Sequence, residues 1–202
     1  KYKKNLFIWK INKMIKSDIL QEANSVAEKI AIFNQEDKNP YQEIAKKILN
    51  KEIKHVVTLA RGTSDCAALF CSYLFAKSLG LTTFSLPPSL ITLENSRFDF
   101  SNTLIIVISQ SGESEDLVLC EKAAREMGAQ TIIMTNNNNS PIINNANYYF
   151  YINAGIEKSI AATKTFILSL LNIVKLVAII KNNQEVLNNI LKLPEHLKKE
   201  LK

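Results

Sequence analysis

The stretch TLIIVISQSGESEDLVLCEKAAREMG (103–128) decides the fold. Its opening, TLIIVIS (103–109), is continuously apolar up to its final serine, as a strand buried on both faces is. Its close, EDLVLCEKAAREMG (115–128), carries apolar residues at helical spacing and stops at a glycine. Between them lies a short polar turn, Ser109-Gln110-Ser111-Gly112-Glu113-Ser114. A buried strand that turns at once into a helix is half of a βαβ unit, and such units build parallel sheets. The turn itself has two readings. The serines cap a helix, with Glu113 and Glu115 favoured by the positive end of its dipole. Alternatively, hydroxyls and free N–H groups at a strand-to-helix turn hold an anion such as phosphate.

Working outward, the same plan recurs. HVVTLA (55–60) reads as a strand, Arg61-Gly62-Thr63-Ser64-Asp65 as its turn, and CAALFCSYLFAKSLG (66–80) as a helix closed by Gly80. TTFSL (82–86), halted by Pro87-Pro88, QTIIMT (130–135) and YYFYI (148–152) read as three more strands. Helical patterns precede the first strand, at 17–34 after a Ser17-Asp18 cap and at 40–51 after a proline. Two helices, over 160–181 and 183–201, follow the last strand. Strand–helix alternation with short connections predicts an α/β fold: a three-layer, doubly wound sandwich around a five-stranded, mainly parallel sheet, with extra N-terminal helices. In such sheets ligands sit at the carboxyl ends of the strands, near the switch in strand order. The expected organisation is a basic extension over 1–16, a helical lead-in over 17–52 and a single domain over 53–202.

Charge narrows the partners. The net charge is +6, but residues 1–16 hold six lysines and no acid, while the remaining basic and acidic residues balance. The excess is a terminal segment and not a groove, which argues against nucleic-acid binding. That segment reads either as an amphipathic helix for a membrane or partner, with Leu6, Phe7, Ile8, Trp9 and Ile11 on it, or as a simple extension, which we favour. No run has the length of a transmembrane span and no signal-peptide pattern occurs, so the expected compartment is the cytoplasm. Cys66, Cys71 and Cys120 form no C-x-x-C; Cys66 and Cys71 fall in one apolar helical pattern and are expected to be buried free thiols. His55 and His196 lie far apart in sequence, and no metal site is expected. Neither G-x-x-x-x-G-K-[ST] nor G-x-G-x-x-G occurs, and no cofactor is expected.

A third loop, NAGIEKSIAATK (153–164), follows the last strand. Three loops therefore face one edge of the sheet. Being rich in hydroxyls and poor in Lys and Arg, they suit the phosphate of a small, exchangeable metabolite. Each feature also has a plainer reading. Thr63 and Ser64 serve as N-caps, Arg61 as a surface ion pair, and Glu113 and Glu115 as dipole partners. Glu157 is either a base or a brace for Lys158, Lys164 or a backbone turn. Lys164 reads as structural or rim.

Gly62-Thr63-Ser64, SQSGESED (109–116) and NAGIEKSIAATKTF (153–166) together resemble the first sugar isomerase (SIS) module of the glucosamine-6-phosphate synthase and amino-sugar-phosphate deaminase-isomerase group. The likeness runs over about residues 17–201 in element order, and implies the flavodoxin-like sandwich described above. It implies that Ser64, Ser109, Gln110, Ser111 and Ser114 hold a sugar phosphate, and that Thr63, Ile160 and Ala162 line the sugar side. Ser114 stands where the family usually has Thr, which keeps the hydroxyl. Ala162 stands where Ser is expected, which removes one polar contact. Family enzymes of this type carry two modules, with the catalytic glutamate and lysine in the second and a histidine from a neighbouring subunit. The expectation is one module without that second half and without a glutaminase half.

Proton abstraction beside a carbonyl needs a base near C1 and C2, which a phosphate cup alone does not supply. Three functions are therefore carried forward. The first is an isomerase or deaminase of hexose or amino-hexose 6-phosphates, completed by a second module or by a homodimer. The second is a non-catalytic sugar-phosphate sensor. The third, ranked lowest, is a remnant that keeps only the fold. The apolar 160–181 helix suggests either a dimer interface or a layer covered by the other helices of the chain.

Overall fold

The structure is a computed structural model that describes the backbone over residues 2–159 and 162–200, and side chains within those ranges from residue 19 onward. Its elements run α1 (Tyr2–Glu36), α2 (Tyr41–Leu49), β1 (His55–Ala60), α3 (Thr63–Leu79), β2 (Thr82–Ser85), α4 (Ser89–Thr92), β3 (Thr103–Ser109), α5 (Glu115–Glu126), β4 (Gln130–Thr135), a 3-10 turn (Pro141–Ile143), β5 (Tyr148–Tyr151), α6 (Lys164–Ile180) and α7 (Gln184–Glu200). The strands form one sheet in the order β2-β1-β3-β4-β5, with every neighbouring pair parallel. The central strand β3 is buried at all its positions, which is why its sequence shows no polar alternation.

Alternate strand residues feed two cores. Val56, Leu104, Ile106, Ile132 and Met134 pack with α1, α2, α3 and α6 on one face. Val57, Leu59, Ile105, Val107 and Ile133 pack with α4 and α5 on the other. Each such aliphatic side chain contributes about 1.5–3 kcal/mol when fully buried. The chain leaves β1 through α3 on the first face to reach β2, and leaves β3 through α5 on the second face to reach β4. Strand order therefore reverses between β1 and β3. A crevice opens at their carboxyl ends, where a doubly wound sheet binds its ligands.

Several boundaries differ from expectation. The Ser17-Asp18 pair does not start a helix, because α1 is continuous from Tyr2 to Glu36. Nothing in 2–16 breaks a helix, having neither Pro nor Gly, and Ser and Asp are only mildly unfavourable inside one. The apolar side chains expected at Leu6–Ile15 lie outside the described residues. α3 begins at Thr63 instead of residue 66, and α6 at Lys164 instead of residue 160. The short α4 was not foreseen; it follows the Pro87-Pro88 pair, whose carbonyls accept the first N–H bonds from Leu90 and Ile91. Cys66 is exposed, whereas Cys71 and Cys120 are buried. On α3 the buried stripe is Ala67, Ala68, Cys71 and Phe75, and Cys66 points away from it. Burial pushes the Cys71 thiol well above its ordinary value and raises Cys120 to about 11. α6 packs against α1, α2, α3 and α7 within the chain.

Candidate functional site

The loops after β1 and β3 and the segment before α6 enclose a cavity of about 250 Å³ at the β1/β3 crevice. Thr63, Ser64, Ser109, Gln110, Ser111, Ser114, Glu157 and Ala162 all line it. Residues scattered over a hundred positions of sequence thus meet in one place. Ile160, the remaining candidate, lies outside the described residues.

The β3 loop is shaped by its own serines. Ser109 Oγ accepts the Gly112 N–H at 3.1 Å, and Ser111 Oγ accepts the Glu113 N–H at 3.3 Å. A hydroxyl that accepts through a lone pair keeps its own hydrogen for an outside acceptor. The Gln110 carbonyl accepts the Asn136 N–H at 3.1 Å and the Thr135 hydroxyl at 3.2 Å, which ties the loop to β4. Ser114 is the N-cap of α5 and makes no side-chain capping bond, so its hydroxyl is available to a ligand.

The β1 loop is built differently from the capping alternative. Gly62 is the cap, at φ 58° and ψ −133°, and Thr63 and Ser64 lie inside the first turn of α3. Residues there are past the N-cap position, whose side chain accepts helix N–H bonds. The first N–H groups of α3 and α5 have no intrahelical acceptors, and both helix N-termini border the cavity.

Electrostatically, the cavity has little charge of its own to offer. Arg61 is the one lysine or arginine lining it among the described residues. Its Nε donates to Asp116 Oδ2 at 2.7 Å, and Nη2 reaches the same oxygen. The ion pair bridges the β1 loop to α5 at the rim, as its plainer reading anticipated. Glu113 turns to Asn137 Nδ2 at 3.1 Å, away from the centre. Favourable interactions for an anion therefore come from hydroxyls and helix N-termini. Among the described residues no His, Cys, Asp or Glu side chains cluster in threes as metal ligands.

Glu157 is the acidic group lining the cavity among the described residues. Its Oε1 accepts the N–H groups of Thr163 and Lys164, the latter at 2.8 Å, and Oε2 accepts the Thr165 hydroxyl and N–H. It caps α6 from six residues upstream. Lys164 is buried and donates to the Ile156 carbonyl at 2.6 Å, a structural position. Glu157→Ala strips the first turn of α6 of these acceptors and is expected to cost about 1–2 kcal/mol. Urea unfolding measures it; a midpoint equal to wild type would show that the cap is dispensable.

The sequence reading missed three residues. Asn136 clamps the third loop, accepting the Ala154 N–H at 2.7 Å and donating to the Gly155 carbonyl at 2.7 Å. Ser140 is fully buried beneath Gly112. Glu22 reaches in from α1 to the amides of Lys158 and Ser159. None carries a local signal: an Asn in an Asn-rich turn, a lone Ser and a Glu on a helix are ordinary surface residues until the fold places them.

Known proteins are similar to this chain in sequence and in fold. The SIS domain family model matches residues 48–179. Glutamine–fructose-6-phosphate aminotransferase [isomerizing] from Sulfolobus acidocaldarius is 37% identical over 124 residues, covering 61% of this chain and 20% of its own length. The enzyme of the same name from Campylobacter jejuni is 31% identical over 159 residues, 75% of this chain and 25% of its own. The chain thus spans a fifth to a quarter of these relatives. A solved candidate phosphosugar isomerase from Silicibacter pomeroyi DSS-3 superposes with TM-score 0.79 at 30% identity, over 88% of this chain and 54% of that one. The C-terminal domain of glucosamine-fructose-6-phosphate aminotransferase from Francisella tularensis shares the fold, at TM-score 0.69 and 23% identity. With the family model spanning most of the chain and the loop geometry in place, the chain belongs to the SIS domain family.

Proposed function

We propose that the β1/β3 cavity binds a hexose or amino-hexose 6-phosphate, with Ser64, Ser109, Gln110, Ser111 and Ser114 around the phosphate. Thr63, Ala162 and the backbone near Ile160 face the sugar. The observation that carries this reading is the meeting of two hydroxyl-bearing strand-to-helix turns at the topological switch, each ending at a helix N-terminus. Neutral donors and helix dipoles hold the dianion, while the lining cation Arg61 is already paired with Asp116, as suits a metabolite that must leave again. A cytoplasmic location, where such metabolites are made and used, goes with this reading.

Turnover is a separate matter. Aldose–ketose isomerisation through an enediol, or deamination through an enolamine, needs a base within reach of C1 and C2. Glu157, the lining carboxylate, is occupied by α6. This favours a module that binds substrate and receives its base from a second SIS module or from a homodimer partner. The same observation supports a second reading, a sensor that binds without reacting.

Calorimetric titration with fructose 6-phosphate and glucosamine 6-phosphate tests the binding, with fructose and inorganic phosphate as controls. Ser111→Ala removes a hydrogen bond to a charged group and is expected to weaken phosphosugar binding at least about tenfold. A folded wild type that binds no phosphosugar would sink the proposal. Conversion of either sugar phosphate by the purified chain would discard the sensor reading.

A further inference from the structure

The third loop separates the phosphosugar cavity from a second hollow of about 260 Å³, lined by Gln21, Glu22, Ser25, Ile156, Lys158 and Lys164. Glu22 stands on α1, outside the 48–179 span of the family match. It is 7% exposed, and Oε1 accepts the N–H groups of Lys158, at 2.5 Å, and Ser159, at 3.3 Å. Ser159 in turn lines the phosphosugar cavity. A carboxylate withdrawn from water is costly unless its hydrogen bonds compensate. Burial pushes the Glu22 carboxyl upward, but the two amides on Oε1 and the charge of Lys164 hold it below its ordinary value, while Oε2 is buried without a hydrogen-bond partner among the described residues.

The opposite limb of the loop is held by Glu157 through the amides of Thr163, Lys164 and Thr165. Two carboxylates therefore pin the loop at both ends, one from inside the segment and one from a helix more than a hundred residues earlier. Between the pins lies Ala162, which, like Ser159, lines the cavity.

We infer that Glu22 is a positioning residue for ligand binding: it fixes Lys158 and Ser159, and with them the sugar-facing wall that Ser159 contributes to the cavity, while the serine turns hold the phosphate without its help. The inference rests on the phosphosugar reading above. It extends the site to the lead-in helix, and it separates the two halves of the ligand. Losing Glu22 should loosen recognition of the sugar and leave recognition of phosphate intact.

The test uses the full chain with Glu22→Ala, Glu22→Asp and Glu22→Gln. Fructose 6-phosphate and inorganic phosphate are titrated calorimetrically, and amide hydrogen exchange is followed by NMR. Glu22→Ala is expected to lose about tenfold in fructose 6-phosphate affinity at unchanged phosphate affinity. The Lys158 and Ser159 amides should lose protection while those of Lys164 and Thr165 keep theirs. Asp, one methylene too short to reach both amides, should show the same selective loss, and Gln, which keeps an acceptor at full reach, should recover most of it. Should Ala not fold, the Asp-to-Gln comparison decides. Unchanged fructose 6-phosphate affinity, equal losses for phosphate and phosphosugar, or unaltered protection at 158 and 159 would each overturn the inference alone. A wild type that binds no fructose 6-phosphate would overturn the phosphosugar reading and this inference with it.

Discussion

Gly112→Ala is expected to destabilise the protein by about 3 kcal/mol and to abolish phosphosugar binding. Two penalties act together. Gly112 has φ +66°, where an L side chain costs about 1–2 kcal/mol. A Cβ there would stand 2.5 Å from Ser140 Oγ, 2.6 Å from Ser140 Cβ and 3.0 Å from Ile142 Cγ2. Ser140 and Ile142 are both buried and have no room to retreat, and forcing a methyl into a packed interior costs about 1–3 kcal/mol. For a chain of this size the sum lowers the melting temperature by roughly 10 °C. Binding fails for a local reason: the Gly112 N–H closes the turn onto Ser109, so displacing residue 112 moves the serines around it. Thermal unfolding and titration check both effects. Adding Ser140→Gly to Gly112→Ala removes the worst contacts but not the backbone strain, and should restore about half of the lost stability. A single variant that melts within about 2 °C of wild type would show that the loop has slack the packing does not suggest.

Lys175→Met is expected to cost about 3–5 kcal/mol without touching the site, the penalty for leaving a buried charge unpaired. The Asp37 side chain is 1% exposed, and its Oδ2 accepts Lys175 Nζ at 2.7 Å and the Tyr41 hydroxyl at 2.7 Å. Lys175 also lies 5.1 Å from the ring centres of both Phe33 and Tyr41. Methionine preserves the apolar stem over those rings and deletes only the charge, so the measured loss reports the pair itself. The network has structural reach. Asn39, in the same turn, accepts the Tyr151 N–H at 2.9 Å and donates to Asn172 Oδ1 at 2.8 Å, joining the α1–α2 turn to the edge strand β5 and to α6. Asp37→Asn combined with Lys175→Met should recover most of the loss, because no unpaired charge remains. Urea unfolding of the three variants decides the matter. A single variant as stable as wild type, or a double variant worse than the single, would refute the ion-pair account.

The inner strands were legible to the residue. HVVTLA, TLIIVIS and QTIIMT coincide with β1, β3 and β4, because strands buried on both faces read as short, mostly apolar runs bounded by turn residues. The outer strands β2 and β5 each end one residue before the sequence reading placed them, at Ser85 and Tyr151. An edge strand ends where its single neighbour stops pairing, which no local pattern records. Helix starts were read least well. The Ser17-Asp18 pair carries a cap signature inside an unbroken helix, and Thr63 and Ser64 carry one a residue past the true cap at Gly62.

The candidate site divides along the same line. Its serine turns were readable because strand, turn and helix are contiguous, so hydroxyls placed at the turn must face the carboxyl edge of the sheet. Glu22, Asn136 and Ser140 were not readable, since each acts on a residue remote in sequence: Lys158 and Ser159, Ala154 and Gly155, and Gly112. Glu157 lies between the two cases. Sequence left it as a base or a brace, and the position of α6 gave its carboxylate backbone partners. By itself, then, the sequence determined the α/β class, the parallel sheet and the turns that meet at the cavity, because periodicity and turn chemistry act over a few residues. Only the tertiary structure decided which carboxylates are engaged, how the third loop is held and why Gly112 has to be glycine, because those depend on side chains meeting across elements that the chain separates.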